Sequence, residues 1–468
     1  MLTFFPRYFS TRAIICYAIT LALVSAFFMS YAIPFQFMLF GIVAIVIFFT
    51  SISKLTMTWQ KFSQSVFAKK LFVTAFIIRV SYVIFIYLYY IVETGMPHMY
   101  EPADELFYEY VSGMLREEGF VRYVELLREF QVDFSDSGYC WWLAIEKVVL
   151  GDNTLLFRLV KCMIDSFSCV LIYNLAKRNF GESTGRMAAI FCMMMPNMWY
   201  YCGLSLKETE MAFLTIFFVE RADKALHSPK ITIGNIILPS VIILIMFTFR
   251  TALAAVLMAA LAGSLILSSR KQMQAWKKIV YTIVFASWML LTMGAEMIQE
   301  TQALWAARSE NQSAGYEWRS QQVGGNTFAK YASASVFAPF IFTIPFSSMV
   351  NIPHQENQML MNGANFIKNI MSGLTILALF LLLIRGDWRK HVLPISVMCG
   401  YLVVLVFSNF AHSERFHFPV LAFELMFAAY GVSQLTNRHK RWYIIWLFVV
   451  CIANIAWAWI KLAGRGLV

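Results

Sequence analysis

Residues 71–115 read LFVTAFIIRVSYVIFIYLYYIVETGMPHMYEPADELFYEYVSGML. Positions 71–92 are apolar apart from Arg79 and long enough to cross a bilayer, which takes about 20 such residues. The chain then turns acidic at once, through Glu93, His98, Tyr100, Glu101, Asp104 and Glu105. Behind these the period changes. Leu106, Phe107, Tyr110, Val111, Met114 and Leu115 form one stripe of a helix, with Glu105, Glu109, Ser112, Arg116 and Glu117 on the opposite face. A helix of this kind lies in the membrane interface. Asp104 and Glu105 would stand at its N-terminus, where the helix dipole favours carboxylates.

The first half of this pattern repeats along the chain. Of 468 residues, 59% are hydrophobic and 14% charged, against about 25% charged in soluble domains. The apolar residues come in blocks, with spans expected at 13–31, 34–52, 71–92, 154–175, 187–205, 209–222, 232–249, 251–268, 279–298, 370–385, 391–410, 416–433 and 441–460. The fold class is therefore an all-α polytopic membrane protein of about 13 transmembrane helices, forming a single transmembrane domain over 1–468. Basic clusters fix the orientation. Lys54, Lys61, Lys69 and Lys70, then Lys177, Arg178 and Arg186, then Arg270, Lys271, Lys277 and Lys278, then Arg385, Arg389 and Lys390 all fall on one side, which is the cytoplasm by the positive-inside rule. Three segments then face outward: 93–153, 299–369 and the turn 411–415. Residues 333–350 are apolar but carry Pro339 and Pro345. A full span there would invert every later basic cluster, so a re-entrant or surface-lying piece is expected, with its backbone covered by protein or water.

The net charge of +11 is spread over short loops between apolar runs, which argues against a nucleic-acid partner and for membrane lipids. No metal-ligand spacing is present among the cysteines. Most lie inside apolar runs, and Cys140 with Cys202 is the one disulfide the topology leaves open.

Charges in unexpected places single out the candidate site. The outer loop 93–153 holds thirteen of the 27 acidic residues against four basic ones. It ends in the aromatic stretch Ser137–Trp142, suited to the membrane interface or to stacking on a sugar. Lys207, Arg250 and Arg415 fall on the outer side, where positive charge is depleted. Glu208, His412, Glu414 and His417 stand beside them in sequence. Basic residues converging on an acidic loop suit an anionic ligand such as a lipid phosphate, which arginine binds bidentately; ion pairing with the loop's own acids is the structural alternative. Within the spans, Arg158, Lys161 and Asp165 share a helix face, and a Lys161–Asp165 pair is expected from their spacing. Arg79 is expected to snorkel, and Glu424 has no partner visible in sequence.

The sequence resembles the membrane-embedded GT-C glycosyltransferases that use polyprenyl-phosphate sugars, in particular the protein mannosyltransferase and aminoarabinose transferase branch. The resemblance runs from residue 71 to about 225. It rests on Asp104-Glu105 with the interfacial helix behind them, Gly138-Tyr139 before an apolar run, Leu155–Arg158 continuing to Lys177–Gly181, and Pro196 followed by Lys207-Glu208. The Glu414-Arg415-Phe416 turn before Pro419 also fits. Two spans precede the loop-bearing helix where many relatives have one, and 299–369 is too short for a separate soluble domain.

The resemblance implies inverting sugar transfer from a polyprenyl-phosphate donor to a lipid, glycan or protein acceptor. Asp104 would be the base, with Glu105 second. Their predicted side of the membrane, rather than the resemblance, suggests that Arg415, Lys207 and Arg250 would hold the departing phosphate, with His98, Tyr139, Glu208 and His412 lining the substrate. Some members place a divalent metal between such carboxylates and others do not; no metal ligand is assigned here. The expected location is the bacterial inner membrane, with the site on its extracytoplasmic side. Two other readings stand beside this one: an O-antigen-type polymerase or ligase, which would favour arginine-rich outer loops, and a transporter or flippase, which would show internal repeats and broken helices.

Overall fold

A computed structural model describes residues 2–228, 233–267, 325–328, 338–407, 411–436 and 439–468. The expected span 279–298, and 299–324 and 329–337 of the expected outer segment 299–369, lie outside these residues. The regular structure of the described residues is helical, with one isolated bridge between Ala32 and Val350.

Among the described residues six helices are long and apolar enough to cross a membrane: Arg7–Phe27, Phe35–Lys61, Gln64–Thr94, Asn362–Ile384, Glu414–Ser433 and His439–Ala463. The chain is thus polytopic, although these six fall short of the thirteen spans expected. We number the helices α1 (Arg7–Phe27), α2 (Phe35–Thr58), α3 (Gln64–Thr94), α4 (Ala103–Glu118), α5 (Tyr123–Glu129), α6 (Phe134–Leu150), α7 (Thr154–Phe180), α8 (Glu182–Met194), α9 (Pro196–Cys202), α10 (Glu208–His227), α11 (Ile233–Phe249), α12 (Thr251–Leu267), α13 (Glu356–Leu360), α14 (Asn362–Ile384), α15 (Val392–Val406), α16 (Glu414–Ser433) and α17 (His439–Ala463). The shorter apolar helices are Ile237–Phe249 within α11, α12 and α15.

Local chemistry sets the ends that matter for the site. Helix α3 stops at Gly95, whose φ of 77° is the left-handed conformation glycine adopts freely. This releases the chain into the acidic loop. Helix α7 starts at Asn153, whose side chain accepts from the backbone N–H groups of Leu155 and Leu156. The expected single span 187–205 is broken. Met195 is extended before Pro196, which opens α9 as its first residue. The break turns 203–207 into a buried loop aimed at the acidic segment.

The bundle pairs its buried charges between helices. Arg79 does not snorkel; its Nε donates to Asp165 Oδ2 at 2.5 Å with both side chains fully buried, joining α3 to α7. This overturns the expected Lys161–Asp165 pair. Lys161 instead meets Glu210 Oε2 at 3.2 Å and joins α7 to α10. Partners on neighbouring helices win because neither residue faces lipid, where a charge is costly. Glu424 on α16 has its partner in Lys368 on α14, at 3.8 Å. Helices α14 and α16 also approach closely: a Cβ on Gly431 would lie 2.2 Å from the Leu374 carbonyl oxygen, so only glycine fits there.

Residues 338–350 are largely irregular backbone, mostly buried against α14, α16 and α17. Their polar groups are met by side chains. Asn369 donates to the Thr343 and Pro345 carbonyls at 2.5 and 2.9 Å. Lys368 donates to Ile344 O at 2.5 Å, and Asn454 Oδ1 accepts from the Ser347 N–H at 2.8 Å. These non-helical groups thereby avoid the penalty of an unmet hydrogen bond. All eight cysteines are free, Cys140 and Cys202 included.

Candidate active site

The end of α3, the N-termini of α4, α10 and α16, and the loop after α9 meet at one end of the bundle. Here Arg415, in the first turn of α16, donates through Nη1 to Asp104 Oδ2 on α4 and through Nε to Glu208 Oε1 on α10. The fork geometry of a guanidinium allows both contacts at once. Glu208 is fully buried, while the Asp104 side chain is 51% exposed.

The neighbouring carboxylate is placed oppositely. Glu105 is fully buried, and both of its oxygens are occupied. Oε1 accepts from the Ser205 N–H at 2.5 Å and faces Arg158 Nη2 at 3.5 Å. Oε2 accepts from the Met99 N–H at 2.8 Å, with His98 Nδ1 3.7 Å away. Burial alone would raise the Glu105 carboxyl. His98, the Arg158 guanidinium and the two backbone N–H groups outweigh it and hold the group below the ordinary carboxylate value. Glu105 is thus an anchor that docks the acidic loop onto the bundle, and Asp104 is the more exposed carboxylate.

Helix α4 shows why. Its buried face is Glu105, Tyr108, Val111, Ser112 and Leu115. Leu106, Phe107 and Tyr110, expected on one stripe with Val111 and Leu115, are exposed instead. The polar anchor faces the protein because its partners are there, and the bulky apolar residues are left outside.

The other candidates separate. His98 stands between Glu105 and Glu109, 3.7 Å from each. Lys207 is buried, and its ammonium donates to Ser135 O and Phe249 O at 2.8 Å and to the Asp136 carboxylate. A lysine has three protons, so all are committed and Lys207 acts as a tether between α6, α11 and the loop before α10. Arg250 lies 4.3 Å from the Phe416 ring centroid, beside Arg415 in sequence. Tyr139 is fully buried, its ring 5.0 Å from both Lys161 Nζ and the Tyr108 ring, which is an interior packing position. His412 stacks on Trp457 at 4.8 Å. Among the described residues no group of three or more His, Cys, Asp or Glu is arranged to hold a metal ion.

Three participants were not assigned to the site from sequence. Ser205 donates from Oγ to Glu109 Oε1 at 2.9 Å and so couples two carboxylates. Arg158 was visible as a charge in an apolar run, but its partner Glu105 lies 53 residues earlier. Asn357 donates to Tyr100 O at 2.7 Å and ties α13 to the acidic loop.

Residues 359–463 match the Alg9-like mannosyltransferase family, a GT-C-type glycosyltransferase family. The matched stretch includes α14 to α17 and therefore Arg415. No curated protein matches the chain to a significant degree. Over residues 359–463 the chain is similar to the Alg9-like mannosyltransferases, and this match with the apolar helices marks it as a membrane glycosyltransferase.

Proposed function

We propose that this end of the bundle transfers a sugar from a polyprenyl-phosphate donor to a lipid, glycan or protein acceptor, with inversion, on the extracytoplasmic face of a bacterial inner membrane. The observation that carries the reading is the Asp104–Arg415–Glu208 arrangement: a half-exposed carboxylate and a fork-shaped cation side by side. The acceptor oxygen attacks the anomeric carbon, and its proton passes to Asp104. The bond from that carbon to the phosphate oxygen breaks, and the polyprenyl phosphate leaves as an anion against Arg415. Donor phosphate competes with Asp104 for the guanidinium, so donor binding frees the carboxylate to take a proton. Glu208 keeps Arg415 in place through the exchange. Arg250 adds positive charge nearby, whereas Lys207 is a tether. The placement of basic residues along the sequence supports the outward orientation.

The test is transfer by purified protein in lipid nanodiscs, with polyprenyl-phosphate mannose and a nucleotide sugar offered separately. Sugar should move from the polyprenyl donor. Transfer from the nucleotide sugar alone would overturn the donor assignment.

A further inference from the structure

A second polar cluster lies at the same end of the bundle, and the mechanism above does not use it. Lys461, near the end of α17, is 7% exposed. Its ammonium donates to Ser348 Oγ, to Gln355 Oε1 at 2.9 Å and to Gln358 Oε1 at 2.6 Å. A lysine only donates, so the carbonyl oxygen of each carboxamide must face it. Both NH2 groups therefore point away from Lys461. Neither has a partner among the described residues, and both glutamines are partly exposed.

Gln355 immediately precedes α13 and Gln358 lies within it, and both side chains reach the same Lys461 ammonium. His354 and Asn357 bracket them on the other. Asn357 holds Tyr100 O, and His354 Nδ1 meets Glu101 Oε1 at 2.5 Å. The turn is thus clamped between Lys461 and the loop that leads into Asp104. Glu414 completes the cluster: it interacts electrostatically with Lys461. Successive residues of a helix diverge by about 100°. Arg415 and Glu414 therefore point in different directions from the first turn of α16.

We infer that Gln355 and Gln358, oriented by Lys461, form a subsite for sugar hydroxyl groups beside the Arg415 centre. The chemistry favours hydroxyls over a second phosphate. Lys461 is already surrounded by acceptors and balanced by Glu414, so little positive charge is left for an anion. Two fixed NH2 pairs and a nearby carboxylate suit groups that both donate and accept. This rests on the proposed function for the position of the reaction centre. The sugar could belong to the donor or to the acceptor, and the experiment separates them.

The key variant is Gln358→Glu, which keeps an oxygen on Lys461 but removes the NH2 donors; Gln355→Glu is its companion if the first does not yield folded protein. Full-length protein in nanodiscs is titrated with a short-chain polyprenyl-phosphate mannose as donor probe and with methyl α-mannoside as acceptor probe. Binding of one probe should weaken about 5- to 10-fold, as expected for one or two lost hydrogen bonds. Loss confined to the donor probe assigns the subsite to the donor sugar; loss confined to the mannoside assigns it to the acceptor. Wild-type affinity for both probes in both variants overturns the subsite and leaves the proposed function standing. A wild-type protein that binds neither probe overturns both.

Discussion

Asp104 and Arg415 lie 311 residues apart and share an ion pair at the half-exposed end of the bundle. Several neighbours hold one or the other. Glu105 docks α4, Glu208 fixes the guanidinium from below, and the tether at Lys207 fixes the loop that leads into Glu208. The pair therefore joins the acidic loop to the region that matches the mannosyltransferase family.

Arg415→Lys should lower kcat by about 10²-fold or more, close to Arg415→Ala, because an ammonium has no fork to span Asp104, Glu208 and a phosphate. Steady-state transfer assays check this. Near-normal turnover in Arg415→Lys would show that charge alone suffices and that the fork is irrelevant.

Glu105→Gln should leave a buried Arg158 without its anion, at about 3–5 kcal/mol of stability. Hydrogen exchange should rise across 98–118 before the spans respond. The pH dependence has a definite sign. The folded Glu105 carboxyl sits below its ordinary value, so its contribution is present at neutral pH and lost as pH falls through that lowered value. Acidification should thus release the loop in the wild type and have little further effect in the variant.

Glu146 on α6 behaves oppositely. Burial, reinforced by the Glu210 carboxylate, pushes it up to about 8 against the pull of Lys161 and the Trp142 indole. Its folded value exceeds its unfolded one, so stability falls as pH rises from the ordinary carboxylate range to about 8. Glu146→Gln should raise the unfolding free energy by about 1–3 kcal/mol at pH 8 and above, and by little at pH 4. A thermal-unfolding series across pH that shows no such divergence contradicts the assignment.

Asp165→Asn should destabilise by about 3–5 kcal/mol by leaving Arg79 buried and unpaired, and Arg79→Met with Asp165→Leu should recover most of the loss. Thermal unfolding in detergent measures both. Equal loss in the single and double variants would mean that the pair's charge balance is not what matters.

The membrane class was legible in sequence because apolar blocks and charge bias are local signals. The convergence of Asp104, Arg415 and Glu208 was suggested only by counting helices across the bilayer. Other features were hidden for stated reasons. Arg79 and Asp165 are 86 residues apart, so helical spacing offered Asp165 a nearer but wrong partner in Lys161. An apolar stripe on α4 does not reveal whether it faces lipid or protein, and Glu105 turned out to face inward. Lys207 looked like a ligand because the backbone carbonyls that occupy it leave no trace in sequence. Gln355 and Gln358 are uncharged and follow no period, so only Lys461 makes them visible.

The central claim is that Asp104 takes the acceptor's proton while Arg415 holds the leaving phosphate. Single-turnover transfer by Asp104→Asn, alongside donor binding by the same protein, tests it most directly. The account predicts a rate lowered by about 10²–10⁴-fold with polyprenyl-phosphate mannose binding retained or tightened, since Arg415 loses a competing carboxylate. Transfer at the wild-type rate would contradict it.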